Sequence, residues 1–243
     1  MKHFVYSYRL TYCGGTAPCF DENLLSLAIC KRDMRRVIGR RFEADREKGE
    51  QNTYWFIGIV GTQLSNETVD GSSEKPFDGR KDDILYIAKL DDVVPYEEYF
   101  TNNELYVSRK DHIYEESSKG SYPIKHKQGE NDKRFRHVPG NGVHKDKDDW
   151  NRDWDIAHPN TKHYVLLAKE YAFFEHPLKF DVYEDENTKF AKGVGHTWFE
   201  AADDDGFITF LKKKLSSVDE NHGTYDNLIT LASRKKGCGK DKG

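Results

Sequence analysis

Residues 53–61 read TYWFIGIVG, and this stretch is the clearest β-strand in the chain. It is short, apolar, rich in aromatic and β-branched residues, and closed by a glycine, which is typical of a buried strand. A second such strand follows at 83–91 (DILYIAKLD), and HFVYSYRLTY at 3–12 precedes both. Two further apolar runs predict strands, LLSLAICK at 24–31 and YVLLAKEYAFF at 164–174. The core is therefore predicted to be built mainly from strands.

Helical spacing appears between these strands. DMRRVIGRRFEADREKGE (33–50) places Met34, Val37, Ile38 and Phe42 on one helical face. PYEEYF (95–100) predicts one or two helical turns, GHTWFEAADDDGFITFLKKKL (195–215) an acidic turn and a helix, and TYDNLITLAS (224–233) a last helix. Because strands and helices do not alternate strictly, we predict an α+β fold. It is a curved, mostly antiparallel sheet or partly open barrel with flanking helices.

The 243-residue chain is predicted to form one domain over residues 1–233. A polar stretch at about 115–162 lacks clear periodicity, so we interpret it as an insertion more mobile than the strands on either side. The final segment RKKGCGKDKG (234–243) has little to pack and predicts a disordered basic tail.

Composition excludes several classes of protein. The net charge of -4 is incompatible with a chain that is basic throughout, although a local basic surface remains open. No apolar run approaches the ~20 residues of a membrane span, and the first residues lack a secretory signal, so we predict a cytoplasmic protein without a membrane partner. Four cysteines without a CxxC pair favour neither a disulfide framework nor zinc. His144 and Asp146 offer ligands for a divalent cation, but carboxylate-rich loops are usually only solvated, so no metal is predicted. No cofactor is predicted either, since the common ATP, dinucleotide, metalloprotease and hydrolase signatures are absent.

The loop TYCGGTAPCFD (11–21) is the first candidate binding element. Gly14 and Gly15 permit positive φ and close approach of a ligand to the main chain, and successive backbone N–H groups can bind an anion. Thr16 adds a hydroxyl, and Arg9 and Lys31 flank the loop in sequence. A phosphate or a base carbonyl would suit this site. The competing interpretation is a tight connection in which the glycines only turn the chain.

Three residues are candidate catalysts. Cys13 becomes a nucleophile if a neighbouring cation lowers its pKa, and a buried inert thiol is the alternative. The segment RKDHIY (109–114) contains Asp111 and His112, which can transfer protons, and Arg109, which can read a base edge. A structural turn with satisfied side chains competes with both roles.

Arginines and aromatic rings supply the remaining candidates. Arg32, Arg35 and Arg36, with Arg40 one turn further, are predicted to share a helix face that contacts nucleic-acid phosphates. Because acidic residues lie nearby, an ordinary solvated face is the alternative. An extruded base stacks well on aromatic rings, and Tyr12 or Trp55 is predicted to lie near the ligand. The wider set of candidate rings is Tyr6, Tyr8, Tyr12, Trp55, Phe56 and Trp198.

Several segments, in order, resemble one family. They are YSYRLTYCGGTAPCFDENLLSLAICKRDMRR, WFIGIVGT, YIAKLDDVVPYEEYF, RKDHIY, YVLLAKEYAFF and GHTWF. This order is similar to that of the nucleotide-modification-associated domains, specifically the second family of that name. Two features depart from its pattern: Cys13 stands where an aspartate or serine is expected, and DREKGEQNTY replaces a Gly-Asp pair before the tryptophan segment.

The resemblance implies a setting, often in phages and mobile elements, in which DNA bases are modified or recognised as modified. We therefore predict a domain that binds a nucleic-acid base or nucleotide, with DNA or a nucleotide as ligand and other DNA-modification proteins as partners. By analogy, the curved sheet is expected to resemble the modified-base readers of the PUA and EVE type. The alternatives are a base-modifying enzyme that uses Cys13, Asp111 or His112, and a phage-type protein that sequesters a nucleotide.

Overall fold

The computed structural model describes residues 1–10, 17–21, 23–61, 81–101, 104–116, 135–137, 162–179 and 195–216. The helices within these ranges are α1 (Arg32–Lys48), α2 (Tyr96–Thr101) and α3 (Gly206–Ser216). The strands are β1 (Lys2–Leu10), β2 (Cys19–Asp21), β3 (Leu24–Leu27), β4 (Thr53–Val60), β5 (Ile84–Lys89), β6 (Asp92–Pro95), β7 (Tyr114–Glu116), β8 (Phe135–His137), β9 (Tyr164–Ala168), β10 (Glu170–Leu178) and β11 (His196–Ala202).

The first sheet has five strands in the order β10-β5-β4-β1-β11. β1 and β4 run parallel, and the long connection that a parallel pair needs contains β2, β3 and α1, whereas the other neighbours are antiparallel. β1 lies inside the sheet, and its Tyr6 is opposite Phe56 of β4 and Trp198 of β11. β11 is therefore the edge strand next to β1 in this sheet.

The second sheet is antiparallel, in the order β2-β3-β9-β6, and β7 and β8 form a separate small pair. The run YVLLAKEYAFF, predicted as one strand, is two strands in different sheets. β9 pairs with β3 and β6, whereas β10 pairs with β5. The chain crosses between the sheets at Lys169, which is exposed and lies 2.9 Å from Asp91.

Three apolar cores follow from the alternation of side chains along the strands. The first lies between the two sheets and α1, and it includes Tyr6 and Tyr8. The second lies between the first sheet and α3, and it includes Val5 and Trp55. The third joins the outer face of the second sheet to α2. Neighbouring residues of β1 therefore point to opposite sides of the first sheet.

Gly39 has a packing role in α1. A Cβ built at this position would lie 2.3 Å from the ring of Tyr164 on β9, a distance that atoms do not tolerate. The glycine costs helix propensity, but it lets the aromatic ring lie directly against the helix backbone. α1 thus approaches the second sheet closely at Tyr164.

The predicted α+β class with flanking helices is confirmed, and the described strands close no barrel. Helices are confirmed at 32–48, 96–101 and 206–216. The acidic turn predicted within the segment 195–215 is confirmed at residues 203–204, and it precedes the helix. The strand His196–Ala202, which pairs with β1, was not predicted. Loop 11–16, most of the insertion, the helix at 224–233 and the tail at 234–243 lie outside the described residues.

Across the described ranges, none of the helices has the length and apolar character that crossing a membrane requires.

Candidate functional site

A surface strip lies between α1 and the edge strand β11. Asp33, Val37 and Arg41 are four residues apart on α1 and follow one side of the helix. His196 and Trp198 follow the facing side of β11. The two rows meet where Arg41 lies over the Trp198 ring. We call Lys31, Asp33, Val37, Arg41, His196 and Trp198 the α1–β11 surface.

Two buried tyrosines lie beneath this surface. Tyr6 and Tyr8 of β1 are opposite Trp198 and His196 in the strand register. The ring centroid of Tyr6 lies 6.1 Å from that of Trp198 and 6.4 Å from that of His196. Both tyrosines are almost fully buried, so they form a rigid base under the more exposed residues.

Trp198 combines exposure with tight positioning. The Arg41 guanidinium carbon lies 4.3 Å from the Trp198 ring and 4.4 Å from the Phe4 ring. Arg41 also donates a hydrogen bond from Nη1 to the Tyr6 hydroxyl at 2.9 Å. Even so, 42% of Trp198 is exposed. An aromatic ring that is both fixed and open to solvent offers a stacking surface at low entropic cost.

Lys31 is presented by an unusual turn. Cys30 and Lys31 both have left-handed backbone conformations, with φ of 62° and 48°, each of which costs about 1–2 kcal/mol for a residue with a Cβ. Arg35 supports the turn by donating from Nε to the Cys30 carbonyl at 2.7 Å and from Nη1 to the Tyr164 carbonyl at 2.6 Å. Lys31 Nζ thereby lies 5.2 Å from the centroid of the Tyr8 ring.

Two nitrogen bases lie at this end of the surface. Burial lowers the pKa of Lys31, with the nearby Cys30 thiol acting in the opposite direction. Burial also lowers the pKa of His196; Lys31 lowers it further, whereas the Asp33 carboxylate raises it. Each base thus loses part of its preference for the protonated form. A bound anion would restore that preference at both positions.

No protein-family model, curated protein or solved structure matches this chain. The likeness to the nucleotide-modification-associated domains therefore depends on the ordered sequence segments and stays a prediction.

The structure separates Arg9 and Trp55 from Lys31. Arg9 forms an ion pair with Asp82 and donates to the Val60 carbonyl at 3.3 Å. Trp55 is 1% exposed and lies in the core under α3, where its Nε1 donates to His3 at 3.0 Å. Because side chains alternate along a strand, Arg9 points away from the face that Tyr8 shares with Lys31.

Arg109 and Asp111 form a buried anchor. Asp111 is fully buried and accepts hydrogen bonds from Ser26 at 2.5 Å and Tyr99 at 2.7 Å. Arg109 lies 3.6 Å from Asp111 and donates to the carbonyls of Cys19 and Leu24. Burial raises the Asp111 pKa, while Arg109 opposes that shift. These contacts tie β2 and β3 to α2, and they lend no support to the predicted catalytic role.

His112 lies beside the same anchor. Its ring is 3% exposed and is 6.0 Å from the Tyr99 ring and 5.4 Å from the Phe100 ring, measured between centroids. Both ring nitrogens are buried and lack a hydrogen-bond partner within the described part of the chain. Burial lowers the His112 pKa. The structure brings His112 together with Asp111 and Arg109, but away from the α1–β11 surface.

The predicted phosphate-binding face requires a correction. Arg35 is completely buried, because its position in the helical turn points it inward with Met34, and its guanidinium is committed to two backbone carbonyls. Arg32 and Arg36 are partly exposed, each 3.4 Å from Asp33, and Arg40 is exposed. The outer row of α1 is therefore Arg32, Arg36 and Arg40.

The remaining candidates belong to the opening loop. The five residues are outside the described part of the chain: Tyr12, Cys13, Gly14, Gly15 and Thr16. Their predicted roles stay predictions.

Sequence reasoning missed four members of the α1–β11 surface: Asp33, Val37, Arg41 and His196. Val37 was predicted on the apolar face of α1 with Met34 and Ile38, but it is 37% exposed. The alternation of His196, Trp198 and Glu200 in HTWFEAA was the available signal for a strand with one exposed face. Arg41 had no such signal, because its position over Trp198 depends on how α1 lies against the first sheet.

Proposed function

We propose that this chain binds an unpaired nucleobase by stacking it on Trp198 at the α1–β11 surface. The observation that carries the proposal is that Trp198 is 42% exposed on an edge strand while Arg41 fixes its orientation. Base–aromatic stacking contributes about 1–3 kcal/mol per base and requires only an open ring face. The base must be unpaired, since a base inside a duplex has both faces covered by its neighbours.

The helix beside Trp198 supports a nucleic-acid ligand. Arg32, Arg36 and Arg40 follow the outer row of α1, so they can contact phosphates while the base stacks. Asp33 partly neutralises the first two arginines, which favours a short contact over a long phosphate track. The overall negative charge of the chain does not oppose such a local basic surface.

Recognition or modification of a modified DNA base, in a cytoplasmic setting, is the finer form of this proposal. It is supported by the ordered resemblance to the nucleotide-modification-associated domains, and the PUA- or EVE-like character of the sheet belongs to the same prediction. The function itself is argued from the exposed ring and its neighbours, because a shared fold does not establish a shared activity.

A base-modifying enzyme is the second candidate. Lys31 and His196 favour it, because burial lowers the pKa of both groups beside the proposed base. Groups with shifted pKa values are concentrated at catalytic sites. Asp111 and His112 are less suitable as the catalytic pair, since both are enclosed by the anchor and α2.

Substitution of Trp198 tests the binding proposal. We expect Trp198→Ala to weaken binding of a short fluorescein-labelled single-stranded DNA by about 5- to 150-fold, from the loss of one stacked base. Trp198→Phe should retain part of the affinity, and a duplex of the same sequence should bind more weakly to the wild type. Fluorescence anisotropy measures all three.

Leu105→Ala is the matched control, since Leu105 is an apolar side chain that is 65% exposed outside the α1–β11 surface. It should leave the affinity unchanged, and the melting temperature of every variant should remain close to that of the wild type. Equal affinity of Trp198→Ala and the wild type, or no binding by the wild type, would remove the proposal. Altered nucleosides in the DNA after incubation would favour the enzyme.

A further inference from the structure

We propose that Lys31 and His196 form an anion subsite that binds the phosphate of the nucleotide whose base stacks on Trp198. The inference rests on the proposed base-binding function and deepens it. The ligand class becomes a nucleoside phosphate, free or within a strand, in preference to a free base or nucleoside.

The strand register sets the distance between the two parts of the ligand. His196 and Trp198 are two residues apart on β11, so their side chains emerge on the same side about 7 Å from each other. Tyr8 lies opposite His196, and Lys31 Nζ lies over the Tyr8 ring. Lys31 is therefore at the His196 end of the surface. A base ring and its own phosphate are separated by a similar distance.

The charges at this end favour an anion. The charged groups that act on His196 are Lys31 and Asp33, and Asp33 is already shared between Arg32 and Arg36 at 3.4 Å from each. Asp33 acts on His196 more strongly than Lys31 does, but Lys31, Arg32 and Arg36 together outnumber this one carboxylate, so the net charge of this end of the surface is positive. Phosphate carries hydrogen-bond acceptors for both bases and strengthens such contacts through its charge.

Partial burial makes the subsite responsive to its ligand. Lys31 and His196 each lose hydration at this surface, and this loss disfavours their charged forms. An anion compensates for the lost hydration, so its binding is coupled to protonation of His196. Affinity for a phosphate should therefore fall as His196 loses its proton at rising pH.

Calorimetric titration with the four deoxynucleosides and their 5′-monophosphates tests the subsite. The wild type should bind a monophosphate at least about tenfold more tightly than the same nucleoside, a difference that one charge-assisted contact supplies. Lys31→Met should abolish this difference, because it should weaken the monophosphate more than the nucleoside. Lys31→Arg should keep it. Lys48→Met, at the other end of α1, is the matched control and should behave as the wild type.

His196→Gln separates protonation of the protein from protonation of the ligand. Because the His196 pKa is lowered, the test is made between about pH 5 and about pH 7. The phosphate itself gains charge over this range, but this change is the same for the wild type and the variant. The wild type should lose more monophosphate affinity with rising pH than His196→Gln does. Parallel pH profiles would overturn the role of His196.

The outcomes distinguish the two proposals. If nucleosides bind and the phosphate adds no affinity, the subsite is excluded and base binding stands. If Lys31→Met weakens nucleosides and monophosphates equally, Lys31 does not act on the phosphate and the subsite is likewise excluded. If the wild type binds neither ligands nor single-stranded DNA, base binding itself fails. Competition by inorganic phosphate against the monophosphate, but not against the nucleoside, would support the subsite.

Discussion

His112 places a titratable ring where protonation is unfavourable. Its two ring nitrogens are buried without hydrogen-bond partners among the described residues, and the rings of Tyr99 and Phe100 lie beside it. Burial has the largest effect and lowers the His112 pKa, whereas nearby backbone groups, including those of Phe100 and Tyr99, and the Glu115 carboxylate favour the protonated form. The unfolded chain therefore binds a proton more tightly at this position than the folded chain does.

Acidification should thus destabilise the fold through His112. Its contribution is present above the unfolded pKa of about 6.5 and is lost as the pH falls below that value. We expect His112→Phe to reduce the loss of unfolding free energy between about pH 7.5 and about pH 5.5, by up to about 1.4 kcal/mol per pH unit for one proton. Urea unfolding of the wild type and the variant at the two pH values measures this loss of unfolding free energy.

The comparison isolates His112 from its neighbour Asp111. The raised Asp111 pKa acts in the opposite direction, but Asp111 is present in both proteins and cancels. His176→Phe replaces an exposed histidine and should keep the pH dependence of the wild type. Identical pH dependence in wild type and His112→Phe would contradict the argument.

At the level of single elements, α1 illustrates what a sequence pattern predicts well and what it misses. The apolar spacing of Met34 and Ile38 predicts the helix and its inward side, because both depend on local periodicity. The inward direction of Arg35 depends on two carbonyl groups that need donors, at Cys30 and Tyr164. Tyr164 lies 129 residues further along the chain than Arg35, so the spacing of residues within α1 does not predict this contact.

The outer row of α1 and Arg35 should respond differently to substitution. Replacing Arg32, Arg36 and Arg40 by glutamine should weaken single-stranded DNA binding and reduce the slope of log affinity against log salt by about 2, since each phosphate contact contributes about 0.7. Anisotropy titrations at several salt concentrations measure the slope.

Arg35→Met is the contrasting variant. It should leave the salt slope unchanged and lower the melting temperature, because two buried carbonyls lose their donor and each costs about 1–3 kcal/mol. An unaltered slope in the triple variant would show that the outer row does not contact phosphates and is an ordinary solvated surface. A slope change in Arg35→Met would mean that its guanidinium reaches the phosphates.

Strand β11 presents the opposite case. Its alternating residues are visible in HTWFEAA, and the acidic residues that follow predict the turn that the structure has at 203–204. Pairing with β1 decides the conformation, and this partner lies at the other end of the chain. The same reason separates Trp55 from Trp198. Both tryptophans lie in strands. Trp55 is buried because α3 packs over its side of the sheet, whereas Trp198 is exposed because β11 is an edge strand.

For the whole molecule, sequence periodicity predicts most of the strands but not their division into two sheets. The run YVLLAKEYAFF is continuous in composition, and its separation into β9 and β10 arises from different partner strands. Partner choice depends on contacts between distant segments. The α+β class was therefore predictable, whereas the layered arrangement and the α1–β11 surface were not.

The Arg109 anchor holds distant parts of this arrangement together. It joins Ser26 of β3 to Tyr99 of α2 through Asp111. Removing one member of a buried ion pair leaves the other charge uncompensated, at a cost of about 3–5 kcal/mol. Arg109→Met should therefore lower the free energy of unfolding by about this amount, measured by urea denaturation.

A double variant tests the coupling within the anchor. Arg109→Met combined with Asp111→Asn should cost less than the sum of the two single variants, because no buried charge is then left unpaired. Lys110→Met, at an exposed position between them, provides the control. Additive effects would show that the two side chains stabilise the fold independently.

The place of β1 in the first sheet has a consequence during synthesis. β1 leaves the ribosome before β11 does, so Tyr6 is synthesised long before Trp198, the residue opposite it in the sheet. At roughly 5–20 residues per second, the intervening translation takes on the order of 10–40 s. During that time one hydrogen-bonding edge of β1 has no β11 beside it in the nascent chain. An unpaired strand edge can pair with other chains. Aggregation through β1 is therefore most favoured before β11 emerges, and chaperone binding would matter most during that interval.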